Sequence, residues 1–556
     1  VRPFFGKNIL NINKNNSYPM KNSKFMFNKT SLKVFILTSF IIFSSLIFNS
    51  HLYANNLSIS NVSLGDRDPS SDTIVVNFDI SWDNSWKTKI NHDATWITIR
   101  LHNPSLTPTN KKLCQLTYAG LNPQGISLDS ASVLEAYVSS DKKGAFLRPS
   151  SYGHNSSLVT ESIEATIDYS SCGFSDDSSV YASVFGIEMV YVPEGSFYAG
   201  DNDTSTACLD QGSSDSNPWN ISSESAISIS NPTSDGYHYV SAGNTNEDAT
   251  GASFTLLADF PKGYKSFYAM KYEVTEEQWV EFFNSLSSSA RTNRDITDGS
   301  HKNTDTVSYR NTISCFGSPL VCSSLKDSRA LSYVTWMDLT AFLDWAALRP
   351  ITELEYEKMS RGAALAVSGE FAWGATDIIA ATTISGSDED GTETIANSSA
   401  NVNYNNTILS GGDTSGGADY TKGPLRVGIF AVSSATRTNA GAGYYGNMEL
   451  SGNLRERIVT IGNAAGRSFI GSHGDGVLSI DSSYEGNATN ADWPGIDDVA
   501  TRGITNAGGS GFKGGSWEDQ SSGTRLRTSD RNNAAETSTA AYSNAGGRGA
   551  RTYDGE

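Results

Sequence analysis

The chain has 556 residues, with 41 Lys and Arg against 60 Asp and Glu, giving a net charge of −19. Nucleic acid as a partner needs a basic face, which this balance argues against. The 24 Tyr, 24 Phe and 10 Trp argue against a disordered chain with little to bury. With 50 Gly against 15 Pro and abundant Ser, Thr and Asn, the composition points to a loop-rich fold large enough for two or three cores.

The amino-terminal stretch reads as a targeting segment. Lys21, Lys24, Lys29 and Lys33 follow Met20, an apolar run extends from Val34 to Phe48, and Leu52-Tyr53-Ala54 closes it with a small residue. This is the layout of a secretory signal peptide, and the run is shorter than the ~20 residues of a membrane span, a retained anchor being the alternative. Residues 1–19 read as a gene-call extension, so residues 1–54 are set apart from the folded chain. Cleavage implies a secreted, periplasmic or cell-surface protein with no remaining membrane span. Without these residues the chain carries 34 basic against 60 acidic groups, a net −26.

An oxidising compartment permits disulfides among Cys114, Cys172, Cys208, Cys315 and Cys322. Cys315 and Cys322 could close a short loop, and Cys114 with Cys172 could tie down the N-terminal region, leaving Cys208 single. Reduced, buried thiols are the alternative. No CxxC occurs and the seven His are scattered, which disfavours zinc.

Residues 57–186 read as an all-β domain. Thr73–Ile80 is strand-like, Thr95–Ile99 alternates polar with apolar, and Glu164–Tyr169 and Val180–Phe185 supply later strands. An Ig-like sandwich is expected. At Ile187 the pattern changes, opening a second domain over 187–556. Met189–Phe197 is a strand, and a Ser/Asn/Gly-rich insertion follows over 202–252. Thr275 and Gln278 then form a capping box ahead of Trp279, Phe282, Phe283 and Leu286, one apolar helical face. Leu339, Phe342, Leu343 and Ala346 mark a second helix, and Pro350 with Thr352 and Glu355 announces a third. After Gly374 the signals are Gly-rich loops and short strands.

These segments resemble the formylglycine-generating enzyme, or sulfatase-modifying factor, family. The matching pieces run in family order: Met189–Phe197, Lys271–Thr275, Val334-Thr335-Trp336, Leu348–Glu357, Phe371–Gly374, Leu450–Glu456 and Gly514-Gly515-Ser516-Trp517. The resemblance implies an α+β fold with an irregular C-type-lectin-like domain, here preceded by the all-β, Ig-like sandwich. The family's oxidase holds copper through two cysteines beyond the Gly-Gly-Ser motif. Here Trp517–Arg531 contains no cysteine, and Asp519, Ser521 or Thr524 cannot replace thiolates for Cu(I), so no copper is expected and no catalytic residue is assigned. The related sulfoxide synthases use iron-binding histidines of an added helical domain, which this chain lacks.

Structural calcium is expected by the same resemblance. One site maps onto Glu449, Gly452, Leu454 and Glu456, a hard-oxygen set bent by a glycine. A second maps onto Asn401, Val402, Asp419 and Thr421. The Trp residues that flank the second Glu in the family are Arg455 and Arg457 here, so an Arg–Glu network in place of the ion is the alternative. Two weaker patterns carry no chemistry. Gly441–Gly446 satisfies GxGxxG without the strand and helix a dinucleotide site needs, and Glu518 beside Asp519 would point oppositely in a strand.

The last segment also resembles the variable proteins of diversity-generating retroelements, whose lectin-like domain presents diversified residues after Gly-Gly-Ser-Trp; their closing motif usually has Phe where Gly547 stands. The resemblance implies a ligand-binding surface from Trp517, Glu518, Asp519, Gln520, Ser521, Thr524, Arg525, Arg527, Asn532 and Asn533. In a strand, Arg525 and Arg527 would share one face beside an exposed Trp517, although a buried Trp517 is equally compatible with the sequence. The expected function is non-catalytic binding of an extracellular protein or glycan. A formylglycine-generating oxidase or sulfatase-maturation factor is one alternative, and a self-assembling surface or filament subunit is the other.

Overall fold

The computed structural model describes residues 56–555 apart from 107–109, 130–131, 156–158, 202–206, 213–216, 231–235, 387–392, 413, 415–416, 433–434 and 521–522. The expected signal segment and Ser521 lie outside the described residues. The chain is a mixed α+β protein in which strands predominate, with a β-rich N-terminal region.

The principal strands of that region are β1 (Ser58–Asp68), β2 (Thr73–Trp82), β3 (Asp93–His102), β4 (Leu134–Val138), β5 (Ala145–Pro149) and β6 (Val159–Asp168). Every second residue of β2 is buried, from Ile74 to Trp82, as the period of a strand with one face on a core requires. One sheet runs β1-β2-β6. The other places β5 between β3 and β4. Ile74, Val76 and Phe78 meet Ile97, Ile99 and Leu147 between the two sheets, in one apolar core. The Cys114–Cys172 disulfide braces this region.

The next strand, β7 (Tyr181–Val192), belongs to both parts of the chain. Its register against β3 is unbroken from Tyr181–His102 to Val190–Asp93. Its last residues pair on the opposite side with β8 (Phe267–Met270). The change of pattern at Ile187 therefore falls inside a single strand. Packing follows the same continuity: Trp96 of β3 is fully buried in the large core of the second part, and its indole nitrogen donates to the Ala346 carbonyl at 2.9 Å.

The three longest helices complete the frame: α1 (Glu276–Asn284), α2 (Trp336–Trp345) and α3 (Glu353–Arg361). Each starts with a complete capping box, with Thr275, Thr335 and Thr352 as N-caps, and each cap contributes about 1 kcal/mol. Trp279, Phe282 and Phe283 of α1 pack with Leu339, Phe342 and Leu343 of α2. Two further strands, β9 (Arg455–Val459) and β10 (Ser510–Lys513), pair antiparallel. The final strand β11 (Gly549–Thr552) returns to β8. Cys315 and Cys322 are bridged across a two-stranded hairpin, and Cys208 is a buried thiol outside both disulfides.

Candidate functional site

Strand β10 delivers the chain into the Gly-Gly-Ser-Trp segment, and both glycines are required there. Gly514 has φ +90°, and a Cβ would stand 2.5 Å from the Leu450 carbonyl oxygen. Gly515 has φ +60°, and a Cβ would stand 2.6 Å from Leu526 Cδ1. Only glycine meets both the left-handed backbone and the close approach. The Asp519 carboxylate then closes the turn, accepting from the Ser516 amide at 2.8 Å and the Ser516 hydroxyl at 2.9 Å.

Trp517 is anchored rather than displayed. It is 2% exposed, donates its indole N–H to the Ser543 carbonyl at 3.1 Å, and stacks on Tyr309 with centroids 5.5 Å apart. The exposed aromatic platform is therefore not present; Trp517 is the plug below the loop. Immediately after it the chain leaves the core. Glu518 and Gln520 are exposed and Asp519 is half-buried, and Glu518 accepts from the Asn544 amide at 2.8 Å.

Gly523 at φ +60° turns the chain into a short 3-10 helix, Thr524–Leu526. Arg525 and Arg527 consequently do not share a strand face. Arg525 has about half its side chain exposed, lies 3.8 Å from Asp519 Oδ1, and donates to Asn533 Oδ1 at 2.6 Å. Arg527 is half-buried and leans over Gly369. Asn532 donates to Asp530 at 2.5 Å, and burial raises the Asp530 pKa. Arg455 lies over the rings of Phe512 and Tyr542 at 4.2 and 4.5 Å. With Asp519, Arg525, Asn533 and Asn544, it surrounds a hollow of about 40 Å³.

Beneath this surface the floor is held by buried ion pairs. Arg531 pairs with Glu353 at 2.8 Å and Lys513 with Glu357 at 3.2 Å, all four side chains fully or almost fully buried. The arrangement offers forked donors, carboxylates and amides to a polar ligand. Glu518 and Asp519 occupy a turn, and the Asp519 oxygen Oδ2 is committed to Ser516. Phe512 and Asn544 were not foreseen as part of the site, because the return of residue 544 depends on pairing that no local pattern encodes.

The fold and this segment together place the chain in a family. Residues 186–552 match the FGE-sulfatase family model, described as a sulfatase-modifying factor enzyme 1-like domain. The chain belongs to this family. No curated protein matches it. For a member of the sulfatase-modifying factor family, the departures lie in the donor sets. The last cysteine in the sequence is Cys322, so the surface after Gly514–Trp517 has no thiolate pair and does not fit Cu(I). Burial, reinforced by Asp210, pushes the Cys208 thiol pKa up, keeping it protonated.

Of the residues expected to hold calcium in the first set, Glu456 already has a charged partner. Glu456, fully buried, receives Arg548 on both oxygens, Nε at 2.8 Å and Nη2 at 2.6 Å. Glu449 Oε1 accepts from the Gly428 amide at 2.8 Å while Oε2 has no hydrogen bond among the described residues; burial raises its pKa to about 7. The Leu454 amide donates to Glu273, and the Gly452 amide to the Gly514 carbonyl. A guanidinium already engages both oxygens of Glu456, so this set as arranged does not fit a calcium ion. In the second set, the Val402 and Thr421 carbonyls accept from Ala381 and Leu409 at 2.8 Å each. Asn401 Oδ1 accepts from Ile379, and the exposed Asp419 accepts from the Tyr309 amide. Among the described residues, no group of three or more His, Cys, Asp or Glu gathers as a metal-binding set.

Proposed function

We propose that this protein is an exported, non-catalytic binding protein that uses a sulfatase-modifying-factor domain as a rigid scaffold. One observation carries the reading: a fully anchored Trp517 is followed at once by the exposed Glu518, Gln520 and Arg525. Rigid floor and polar, adaptable rim are what recognition surfaces on loops require. The ligand is an extracellular protein or glycan, and the surface is of the kind that diversification after Gly514–Trp517 would vary. The finer architecture proposed is a C-type-lectin-like domain carried on an Ig-like sandwich.

Export is supported by the two disulfides, which fit an extracellular protein. Among the described residues, no helix is long and apolar enough to cross a membrane. The test is an array of extracellular glycans and surface proteins, probed with the wild type and with a Glu518→Ala, Gln520→Ala, Arg525→Ala triple variant. Selective binding lost in the triple variant supports the proposal. Identical binding by both proteins rejects this surface.

A further inference from the structure

A separate cleft of about 720 Å³ lies where the N-terminal β-rich region meets the family domain. Its back wall is a strand edge. The Tyr191 amide donates to the carbonyl of His92, the residue just before β3, whereas the Lys271 amide donates to the Glu188 carbonyl from the other side. With the register of β7 unbroken, odd-numbered residues turn their N–H and C=O toward β3 and even-numbered residues turn theirs away. Strand β8 covers β7 only at Met189–Val192. Among the described residues, nothing pairs with the outward groups of Ala182, Val184 and Gly186. All three line the cleft.

The two side walls differ in chemistry. One is apolar, from Leu57, Ile59 and Val62; a Cβ on Gly186 would stand 2.9 Å from Ile59 Cδ1. The other is the start of α1, carrying Glu277, Gln278 and Glu281. Desolvation, with the neighbouring carboxylates of Asp327 and Glu281, raises the Glu277 pKa. Of the two cations lining the cleft, Lys111 stands 3.8 Å from Glu281 and Arg426 is already paired with Glu393 at 3.1 Å. At the floor, Tyr272 is 8% exposed and its buried hydroxyl has no hydrogen-bond partner among the described residues.

We propose that this cleft binds an extended polypeptide, which adds as a strand to the free edge of β7. Alternation along such a strand sends successive side chains to opposite walls. The fitting partner is therefore a protein segment alternating apolar residues, toward Leu57 and Ile59, with Lys or Arg, toward Glu277 and Glu281. This surface is independent of the rim around Trp517.

The test uses the full protein and a defined probe, acetyl-Thr-Val-Lys-Val-Lys-Val-Thr-amide, read by titration and by hydrogen exchange. Binding should slow amide exchange at Ala182, Val184 and Gly186, and replacing Lys by Glu in the peptide should weaken binding at least about tenfold. Val184→Pro removes an outward N–H without touching the ladder to β3 and should abolish binding. Should that variant not fold, a peptide N-methylated on alternate bonds must fail to bind the wild type. Outward amides already protected in the unliganded protein, or equal binding of the Lys and Glu peptides, would overturn the proposal.

Discussion

Arg548 holds Glu456 by two hydrogen bonds, 2.8 and 2.6 Å, with both side chains fully buried. The same guanidinium donates to the Met448 carbonyl at 2.6 Å and to Lys271 at 3.0 Å. It therefore ties β9 to the residues after β8, which is the structural task a bound cation would perform. Glu273 and Glu449 stand nearby, and desolvation together with the Glu456 charge raises the pKa of Glu273.

A buried pair with one partner removed leaves an uncompensated charge. Arg548→Ala should cost about 3–5 kcal/mol in urea unfolding, more than Arg525→Ala by a wide margin. Chelation should leave the melting temperature of the wild type unchanged. A fall on chelation that Glu456→Ala abolishes would show calcium at this site after all.

Stability should decline on the alkaline side through one histidine. Burial opposes charge on His301, but Asp338 and Asp298, at 2.9 and 2.8 Å, outweigh it and raise its pKa to about 9. A folded-state pKa above the unfolded value near 6.5 contributes stability in full below that pH, lost as pH rises through about 9. The loss is about 3 kcal/mol. His301→Gln should flatten this limb of the stability curve, and an unchanged slope would show that the contact adds nothing.

The three longest helices were readable because their signals are local: a cap with a carboxamide or carboxylate three residues on at Thr275 and Thr352, and an apolar stripe from Trp279 and from Leu339. The second helix's own box at Thr335 and Asp338 was not read. Both cysteine pairs were readable as possibilities for the same reason of spacing and compartment. The sheet that runs through β7 was not, since pairing with β3 and β8 is a long-range property that leaves no mark at Ile187. The partner of Glu456 was likewise hidden, lying 92 residues away, whereas the sequence offered only its neighbours Arg455 and Arg457. The strand expected at Arg525 failed at Gly523, whose left-handed backbone starts a 3-10 turn.

The two disulfides should differ in worth. Cys114 and Cys172 are 58 residues apart, Cys315 and Cys322 only seven, and constraint of the unfolded chain grows with loop length. Replacing the first pair by Ser should cost about 2–4 kcal/mol, the second less. Equal losses in denaturant titrations would contradict this ordering.

Chemistry provides a direct check on the non-catalytic reading. With copper and oxygen supplied, a cysteine-containing sulfatase-motif peptide should remain unconverted, since Asp519 and Thr524 stand in the segment where thiolates would be needed. Mass spectrometry showing turnover above a copper-only control would overturn the binding-protein proposal.

Trp517 and Arg525 should separate stability from recognition. Removing a fully buried indole leaves a cavity, so Trp517→Ala should cost about 3–5 kcal/mol and take the overlying loop with it. Gly514→Ala should act in the same direction, through its positive φ and the clash with the Leu450 carbonyl oxygen. Arg525 is different: about half its side chain is exposed and its carboxylate neighbour is 3.8 Å away, a contact worth little to folding. Arg525→Ala should shift stability by no more than about 0.5 kcal/mol. Arg525→Lys keeps the charge but loses the fork that reaches Asn533, so it should recover binding only in part. The measurements are unfolding curves for all four variants, with array binding for those that fold. If Arg525→Ala unfolds as readily as Trp517→Ala, or binds every wild-type ligand undiminished, Arg525 is a structural residue and the rim loses its central cation.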